Sequence, residues 1–389
     1  MPWRKTDVMD EKEKFIQEML SGERPFKQLC AEFGISEKTG YKWKKRFMEE
    51  GKRGLLERNR APLSSTNALG EDVVLGLIAL KTAHPFWGPK KILELFVKAY
   101  PQLDAPSISS VKRVLDKAGL VKKQRVKRAV SDNGARLRNR IIPQQVNDVW
   151  AIDFKGWWKS SGEICEPFTV RDLVSRRILC IKLMKSKTSE AVKEVMKELF
   201  KKYGLPKVIR SDNGPPFASP NGILSLTSLS AWWITLGIIP DRTKKGCPGQ
   251  NGSLERMHAD LAREIEGKIQ GGIQANQAAL DAWMHEYNSV RPNEAIGMKT
   301  PDELYRASER KYLGDFDEIE YPIGFEQRKV SRSGEITVRG IRIHIGYSLR
   351  GLTVGLKPAE NNSFDLFLAD FPLGLLDMNS CCFFPQDVV

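Results

Sequence analysis

Three acids stand in positions where their chemistry has an obvious use. Asp153 interrupts the apolar run Val149-Trp150-Ala151-Ile152-Asp153-Phe154, and Asp212 follows Lys207-Val208-Ile209-Arg210 in Ser211-Asp212-Asn213-Gly214. Glu255 falls in the first turn of a helix expected behind Gly249-Gln250-Asn251-Gly252-Ser253-Leu254. Carboxylates carried by two strands and a helix can converge on a pair of divalent cations, and hard ions such as Mg²⁺ take oxygen ligands. Two such ions roughly 3.5–4 Å apart can activate a nucleophile on one side of a phosphodiester and stabilise the leaving oxygen on the other. Without cations the acids would repel one another, and at least one pKa should rise. The alternative is three unrelated surface acids, since most of the 48 Asp and Glu must be of that kind.

The elements that would position these acids read as an α/β arrangement. After the Asp153 strand come strand candidates at Phe168–Leu173 and Ile178–Met184. A helix is expected from Ser189 to Tyr203, with Val192, Val195, Met196, Leu199 and Phe200 on one face. Gly204-Leu205-Pro206 ends it, and a short strand then delivers Asp212 at its C-terminal end, where open α/β sheets place their ligand sites. A three-strand meander, a crossover helix and a further strand result.

Residues 1–150 hold +12 of the net charge of +14, a bias that points to a nucleic-acid-binding half joined to a half with another task. Glu11–Leu20 is helical in pattern; Ser21-Gly22 breaks it, and Phe26, Leu29, Cys30 and Phe33 recur on one helix face. Gly34 stops that second helix. Ser36 caps a third through Glu50, with Tyr41, Phe47 and Met48 expected inward and Lys38, Lys42, Lys45 and Arg46 outward. This is the pattern of a helix-turn-helix, whose second helix enters the major groove; Glu37, Lys38, Thr39 and Lys42 would approach bases or phosphates. A plain three-helix bundle with a solvated basic face is the competing reading.

A turn-rich connector, Asn59–Ser65, leads to helices expected near Glu71–Thr82, Pro89–Ala99 and Ser107–Ala118. Pro89 suits a first helical position, Ser107 an N-cap and Gly119 a stop, and the last helix carries Lys112, Arg113 and Lys117. A strap with Lys122, Lys123, Arg125, Lys127, Arg128, Arg136, Arg138 and Arg140 follows, fit to track phosphates or simply to be a solvated linker.

Four motifs in order carry a family resemblance: Trp150-Ala151-Ile152-Asp153-Phe154-Lys155; Tyr203-Gly204-Leu205-Pro206 with Ser211–Phe217; Gly252-Ser253-Leu254-Glu255-Arg256; and Tyr287-Asn288-Ser289-Val290-Arg291-Pro292. Together they resemble the integrase-core DDE transposases of bacterial insertion sequences, relatives of retroviral integrases. The resemblance runs over roughly residues 20–380 and implies a multidomain chain: all-α helix-turn-helix units, a central α/β ribonuclease H-like integrase core and a small C-terminal β domain. The divisions expected are 1–60, 66–140, 141–312 and 320–389. It also implies a catalytic Asp153/Asp212/Glu255 triad that holds two Mg²⁺ or Mn²⁺ ions, DNA strand cleavage and transfer without a covalent protein–DNA link, and a homo-oligomer on double-stranded DNA. Asn213 and Gly214 would set the Asp212 carboxylate.

The chain departs from the family pattern at three places. The interval between Asp212 and Glu255 is long, which marks Pro220–Ser230 as an inserted loop. Ala259 and Ala262 stand where relatives often place Lys or Arg, leaving Arg263 or Arg256 to contact phosphates, and Asn293 replaces a histidine. None of these removes a metal ligand.

Ile336, Val338, Ile341, Ile343 and Ile345 alternate with polar residues around a hairpin turn at Arg339-Gly340, the start of a small β unit. Trp157-Trp158 and Trp232-Trp233 are expected in the core rather than on a base-stacking surface. His258, one turn after Glu255, is expected to pack or hydrogen-bond locally, the alternative being an approach to the metal site, and His84 to be a turn residue. The six cysteines form no C-x-x-C and the four histidines no zinc pair, so reduced thiols are expected. Apolar runs are far too short for a membrane span, and the N-terminus has no apolar secretory region, so a cytoplasmic, nucleoid-associated protein is expected. Two other functions compete with the transposase. A catalytically silent DNA-binding derivative would need no metal, and a ribonuclease H-type nuclease would have no use for two upstream DNA-binding units.

Overall fold

The computed structural model describes residues 8–58, 69–121, 141–219, 222–243, 252–315 and 319–386. The chain divides into two units, Met1–Gly70 and Glu71–Val389.

In the first unit, α1 (Val8–Ser21), α2 (Phe26–Glu32) and α3 (Glu37–Glu50) enclose Phe15, Ile16, Leu29, Cys30, Trp43 and Leu55. The Ser36 hydroxyl caps α3 by accepting from the Thr39 amide at 3.2 Å. The inward face of α3 differs from the expected one: Gly40 and Trp43 are buried and Phe47 half-buried, whereas Tyr41 and Met48 are exposed. The reason is close helix approach. A Cβ at Gly40 would lie 2.6 Å from the Cys30 sulfur, so α2 packs tightly at that point and fixes the rotation of α3.

The second unit opens with α4 (Glu71–Ala83), α5 (Pro89–Ala99) and α6 (Ile108–Lys117), which pack on one another through Leu77, Phe96 and Leu115 among others. Ser107 caps α6 through the Ser110 amide, as expected. Next come β1 (Val149–Phe154), the hairpin β2–β3 (Trp158–Ser160 and Glu163–Cys165), β4 (Pro167–Asp172), β5 (Ile178–Leu183), α7 (Ser189–Tyr203) and β6 (Val208–Ser211). They are followed by α8 (Ser228–Thr235), β7 (Ile239–Arg242), α9 (Gly252–Glu264), α10 (Gly272–Ser289) and the short α11 (Pro301–Leu304).

The strands form a mixed sheet in the order β5-β4-β1-β6-β7, with β1 antiparallel to β4 and parallel to β6. Residues alternate between its faces. Trp150, Ile152, Phe168 and Val170 meet α7 and α8, while Val149, Ala151 and Val208 meet α9 and α10. Asp153 shares the second face with Ala151 and therefore looks toward α9. The α4–α6 helices dock on the same side, where His84 Nδ1 lies 2.8 Å from a Glu286 carboxylate oxygen and Lys90 pairs with Glu294.

The C-terminal part holds β8 (Glu326–Lys329), β9 (Glu335–Val338), β10 (Ile341–His344), β11 (Thr353–Ala359), β12 (Ser363–Leu368), β13 (Phe371–Asp377) and β14 (Cys382–Pro385). An antiparallel sheet in the order β14-β13-β12-β11-β8 and the β9–β10 hairpin share one apolar core. Arg339 and Gly340 turn the hairpin with φ of 50° and 81°, the left-handed geometry such turns require. Leu226, Ala231 and Ile234 enter this core, so the described part of the expected inserted loop is a packed link between the two sheets. Of the tryptophan pairs, Trp158, Trp232 and Trp233 are buried and Trp157 is exposed. Among the described residues no helix is long and apolar enough to cross a membrane.

Candidate active site

The three acids come from β1, the end of β6 and the first turn of α9. Asp153 and Asp212 are half-buried and Glu255 is exposed at the rim. Burial and the neighbouring Asp212 carboxylate, with a smaller contribution from Glu255, push Asp153 up to about 7. The acids therefore sense one another, as expected of a charge cluster without cations. The buried Oδ1 of Asp212 has no hydrogen-bond partner among the described residues, a lone-pair site left open. Among those residues no group of three or more His, Cys, Asp or Glu side chains is gathered tightly enough to hold a metal ion as it stands.

The loop that presents Asp212 is held on both sides. Asn213 Nδ2 donates to the Thr243 carbonyl, and the Thr243 amide donates to the Ser211 carbonyl at 3.1 Å. Asn213 thus ties the ends of β6 and β7 together and acts on the backbone rather than on the Asp212 carboxylate. Gly214 lies directly against that carboxylate: a Cβ there would stand 3.0 Å from Asp212 Oδ2. Gly214→Ala is expected to displace the carboxylate and weaken Mn²⁺ binding by about tenfold, the scale of outer-ligand effects, with the melting temperature little changed. Calorimetric titration of Mn²⁺ checks this, and an unaltered affinity would count against Asp212 as a ligand.

Around Asp153 the structure supplies residues whose part was not foreseen. Thr169 lies opposite Asp153 in the β1–β4 register, and its hydroxyl donates to the Asp153 carbonyl at 3.0 Å. The same hydroxyl is 2.9 Å from His258 Nε2, and His258 Nδ1 stands 3.8 Å from Asp153 Oδ2. A hydroxyl has one proton; with it given to the carbonyl, Nε2 must be the donor and the Nδ1 lone pair faces the acid. Burial, then Lys155 and Arg171, push His258 down to about 4, which keeps it neutral at ordinary pH. His258 does not bond locally: its partner Thr169 is 89 positions away, and the ring stands beside the acid cluster. The only signal in the sequence was its place one turn after Glu255.

The expected DNA-contacting residues divide into groups. On α3, Lys38, Lys42 and Lys45 are exposed, with Lys42 over the Trp43 ring and Lys45 3.8 Å from Glu49. Thr39 and Arg46 are half-buried: the Thr39 hydroxyl is 2.9 Å from that of Ser36, and Arg46 lies over Trp43. Lys112 and Arg113 are exposed on α6. Arg263 is exposed, is paired with Asp260 and Glu264 and lies over Phe86. Lys122, Lys123, Arg125, Lys127 and Arg128 lie outside the described residues.

Fold and site together define a helix-turn-helix protein built on a mixed α/β core with an acid cluster at its strand ends. Two models described as "Integrase core domain" match residues 143–248 and 236–301; a "Helix-turn-helix domain" model matches 11–62 and a "Homeodomain-like domain" model 39–115. The core is thus of the integrase type, and the chain resembles bacterial insertion-element proteins. It is 26% identical over 195 residues to the "Insertion element IS407 uncharacterized 31.7 kDa protein" of Burkholderia multivorans, covering 49% of this chain and 66% of that protein. It is 24% identical over 245 residues to the "Insertion element IS476 uncharacterized 39.2 kDa protein" of Xanthomonas euvesicatoria, covering 62% of this chain and 65% of that protein. The chain therefore spans just under two thirds of the length of these relatives. Among solved structures, the HTLV-2 integrase catalytic core domain in complex with magnesium aligns over 42% of this chain and 98% of its own, at 15% identity and a TM-score of 0.32.

Proposed function

We propose that this protein is a transposase: it binds the ends of a mobile element through its helix-turn-helix units and carries out metal-dependent strand cleavage and transfer into target DNA. The observation that carries this reading is the placement of Asp153 and Asp212 at the ends of the adjacent parallel strands β1 and β6, with Glu255 in the first turn of the helix packed on that face. In this reading the four-part division of the chain separates end-binding units, catalytic core and β domain. The donor set fits Mg²⁺ or Mn²⁺. It offers three carboxylates, with the His258 imidazole beside Asp153, one buried oxygen of Asp212 unpaired, and Asp153 held at a raised pKa by burial and by the neighbouring acids. Asp153, Asp212 and Glu255 would hold two such ions, which when bound supply charge stabilisation at the attacking and leaving oxygens of a phosphodiester.

The chain's own residues do the rest. Asp153 must give up its proton to serve, Gly214 leaves room for the Asp212 carboxylate, and Asn213 fixes the loop that carries it. Lys38, Lys42, Lys45, Lys112 and Arg113 supply exposed positive charge for phosphates, giving affinity that falls with salt. Two element ends must be held at once, which calls for a homo-oligomer on the DNA. The test is nicking of labelled DNA from the flanks of the coding region with Mn²⁺, comparing the natural protein with Asp153→Asn, Asp212→Asn and Glu255→Gln. Nicking lost in all three is the expected result. DNA binding without nicking in any form would replace this reading with that of a catalytically silent DNA-binding protein.

A further inference from the structure

Glu255 is the one acid of the cluster on a helix rather than a strand, so its position depends on how α9 is seated. Two residues of one β4 face hold that helix on either side of Glu255. Arg171, only 3% exposed, donates from Nη1 to the Ser253 carbonyl at 2.6 Å, from Nη2 to the Tyr287 hydroxyl at 2.9 Å and from Nε to the Arg176 carbonyl at 3.1 Å. Thr169, two residues earlier, meets His258 at 2.9 Å. Arg176 adds a second hold, Nη1 to the Ser253 hydroxyl at 2.7 Å.

The backbone at Arg176 makes this hold informative. Its φ is 64°, a left-handed conformation that favours glycine and is costly for a long side chain. That turn presents the Arg176 carbonyl to Arg171 and aims the guanidinium at Ser253. Neither guanidinium closes an ion pair among the described residues, although Arg176 feels the nearby Asp172 charge; their direct partners are carbonyls and hydroxyls. An arginine at a glycine-favouring position, spent on a hydroxyl at the start of the Glu255 helix, points to a need for the side chain itself.

We propose that Arg171, Arg176 and Thr169 form a clamp that sets the register of the Glu255 helix against the strand carrying Asp153, making them positioning residues for the acid cluster. The proposal rests on the transposase reading for its purpose, but the seating of α9 can be tested without it.

The discriminating variant is Arg176→Gly, which relieves the backbone and removes the guanidinium. If the Arg176 side chain had no role, relief of the left-handed backbone would leave the protein as stable or more so, with nothing else altered. The clamp predicts faster amide hydrogen exchange confined to residues 252–258 in the metal-free protein. It also predicts Mn²⁺ affinity about tenfold weaker by calorimetry, the usual scale for an outer-sphere residue. In a Glu255→Gln background the same substitution should change Mn²⁺ affinity by less than about twofold, since coupled residues do not add. Arg171→Lys, which keeps the charge but not the three-way reach, should behave alike. Unchanged exchange at 252–258, or an equal loss of affinity in both backgrounds, overturns the clamp. A natural protein that takes up no Mn²⁺ overturns the cation reading instead, while the exchange result still decides the clamp.

Discussion

Asp153→Asn is expected to lower Mn²⁺-dependent nicking by about a thousandfold or more, because removing a charge that holds the cations forfeits several kcal/mol of transition-state stabilisation. The same substitution should raise the melting temperature of the metal-free protein, by an amount that grows with pH. The sign follows from proton linkage. Folded Asp153 holds its proton up to about 7, against an ordinary value of 3.8, so the folded state binds the proton more tightly. Below about 4 both states are protonated and the group is neutral in its effect. Between about 4 and 7 the unfolded chain loses its proton freely, folding must retain one or accept a buried charge, and stability falls; above 7 the penalty is complete. Asn carries no charge at any pH, so the gap between variant and natural protein should widen from pH 4 to pH 7 and then level off. His258 works in the opposite direction. Its folded value is depressed to about 4, so its contribution is present above about 6.5 and lost as pH falls, and only the difference between the two proteins isolates Asp153. Melting curves at several pH values without divalent cations check this; a gap independent of pH would remove Asp153 from the charge cluster.

Features encoded over a few adjacent residues were legible in the sequence. Asp153 lies on a strand, Asp212 just after one and Glu255 in a first helical turn; α7 spans Ser189–Tyr203 as its periodicity requires, and Ser36 and Ser107 cap their helices. The Arg339-Gly340 turn was equally local. What escaped the sequence is what depends on pairing across the chain. Arg171 and Ser253 meet across 82 positions, Thr169 and His258 across 89, and Arg171 and Tyr287 across 116. No window of neighbouring residues contains both partners, and an arginine within a strand reads as a surface residue until its acceptors are known. The β7 strand, Ile239–Arg242, was missed because it is short and mostly half-buried, with no alternation to reveal it. Tyr41 and Met48 were misassigned because hydrophobicity alone does not locate the buried stripe; Gly40, the contact point with Cys30, fixes it.

The motif Tyr287-Asn288-Ser289-Val290-Arg291-Pro292 finds its physical meaning in the same long-range contacts, and it yields the largest expected loss of stability. Asn288 pairs with the backbone of Ile178 through both its amide oxygen and nitrogen, at 2.9 and 2.8 Å, pinning α10 to β5. Arg291, 5% exposed, reaches Asp260 at 2.7 Å and Glu264 at 3.5 Å, two α9 acids whose side chains are 10% and 11% exposed. Its guanidinium also lies over the rings of Trp87 and Tyr287. Removing one partner of a buried pair strands the other, which typically costs about 3–5 kcal/mol. Arg291→Ala is expected to fall in that range and to loosen α9 as a whole rather than at its start. Part of the loss should be offset by Arg263, already paired with the same acids, and by Lys91, which burial and the Arg291 charge hold down at about 8 beside them. With Arg291 gone, Arg263 remains directly paired with both acids, and Lys91, freed of the Arg291 charge, holds its proton more firmly beside them. The double variant Arg291→Met with Asp260→Asn removes charge from both sides and should regain more stability than either change alone would predict. Thermal unfolding of the set checks this, and Arg291→Ala with no more than about 1 kcal/mol of loss would show that solvent, not the protein, already balances these acids.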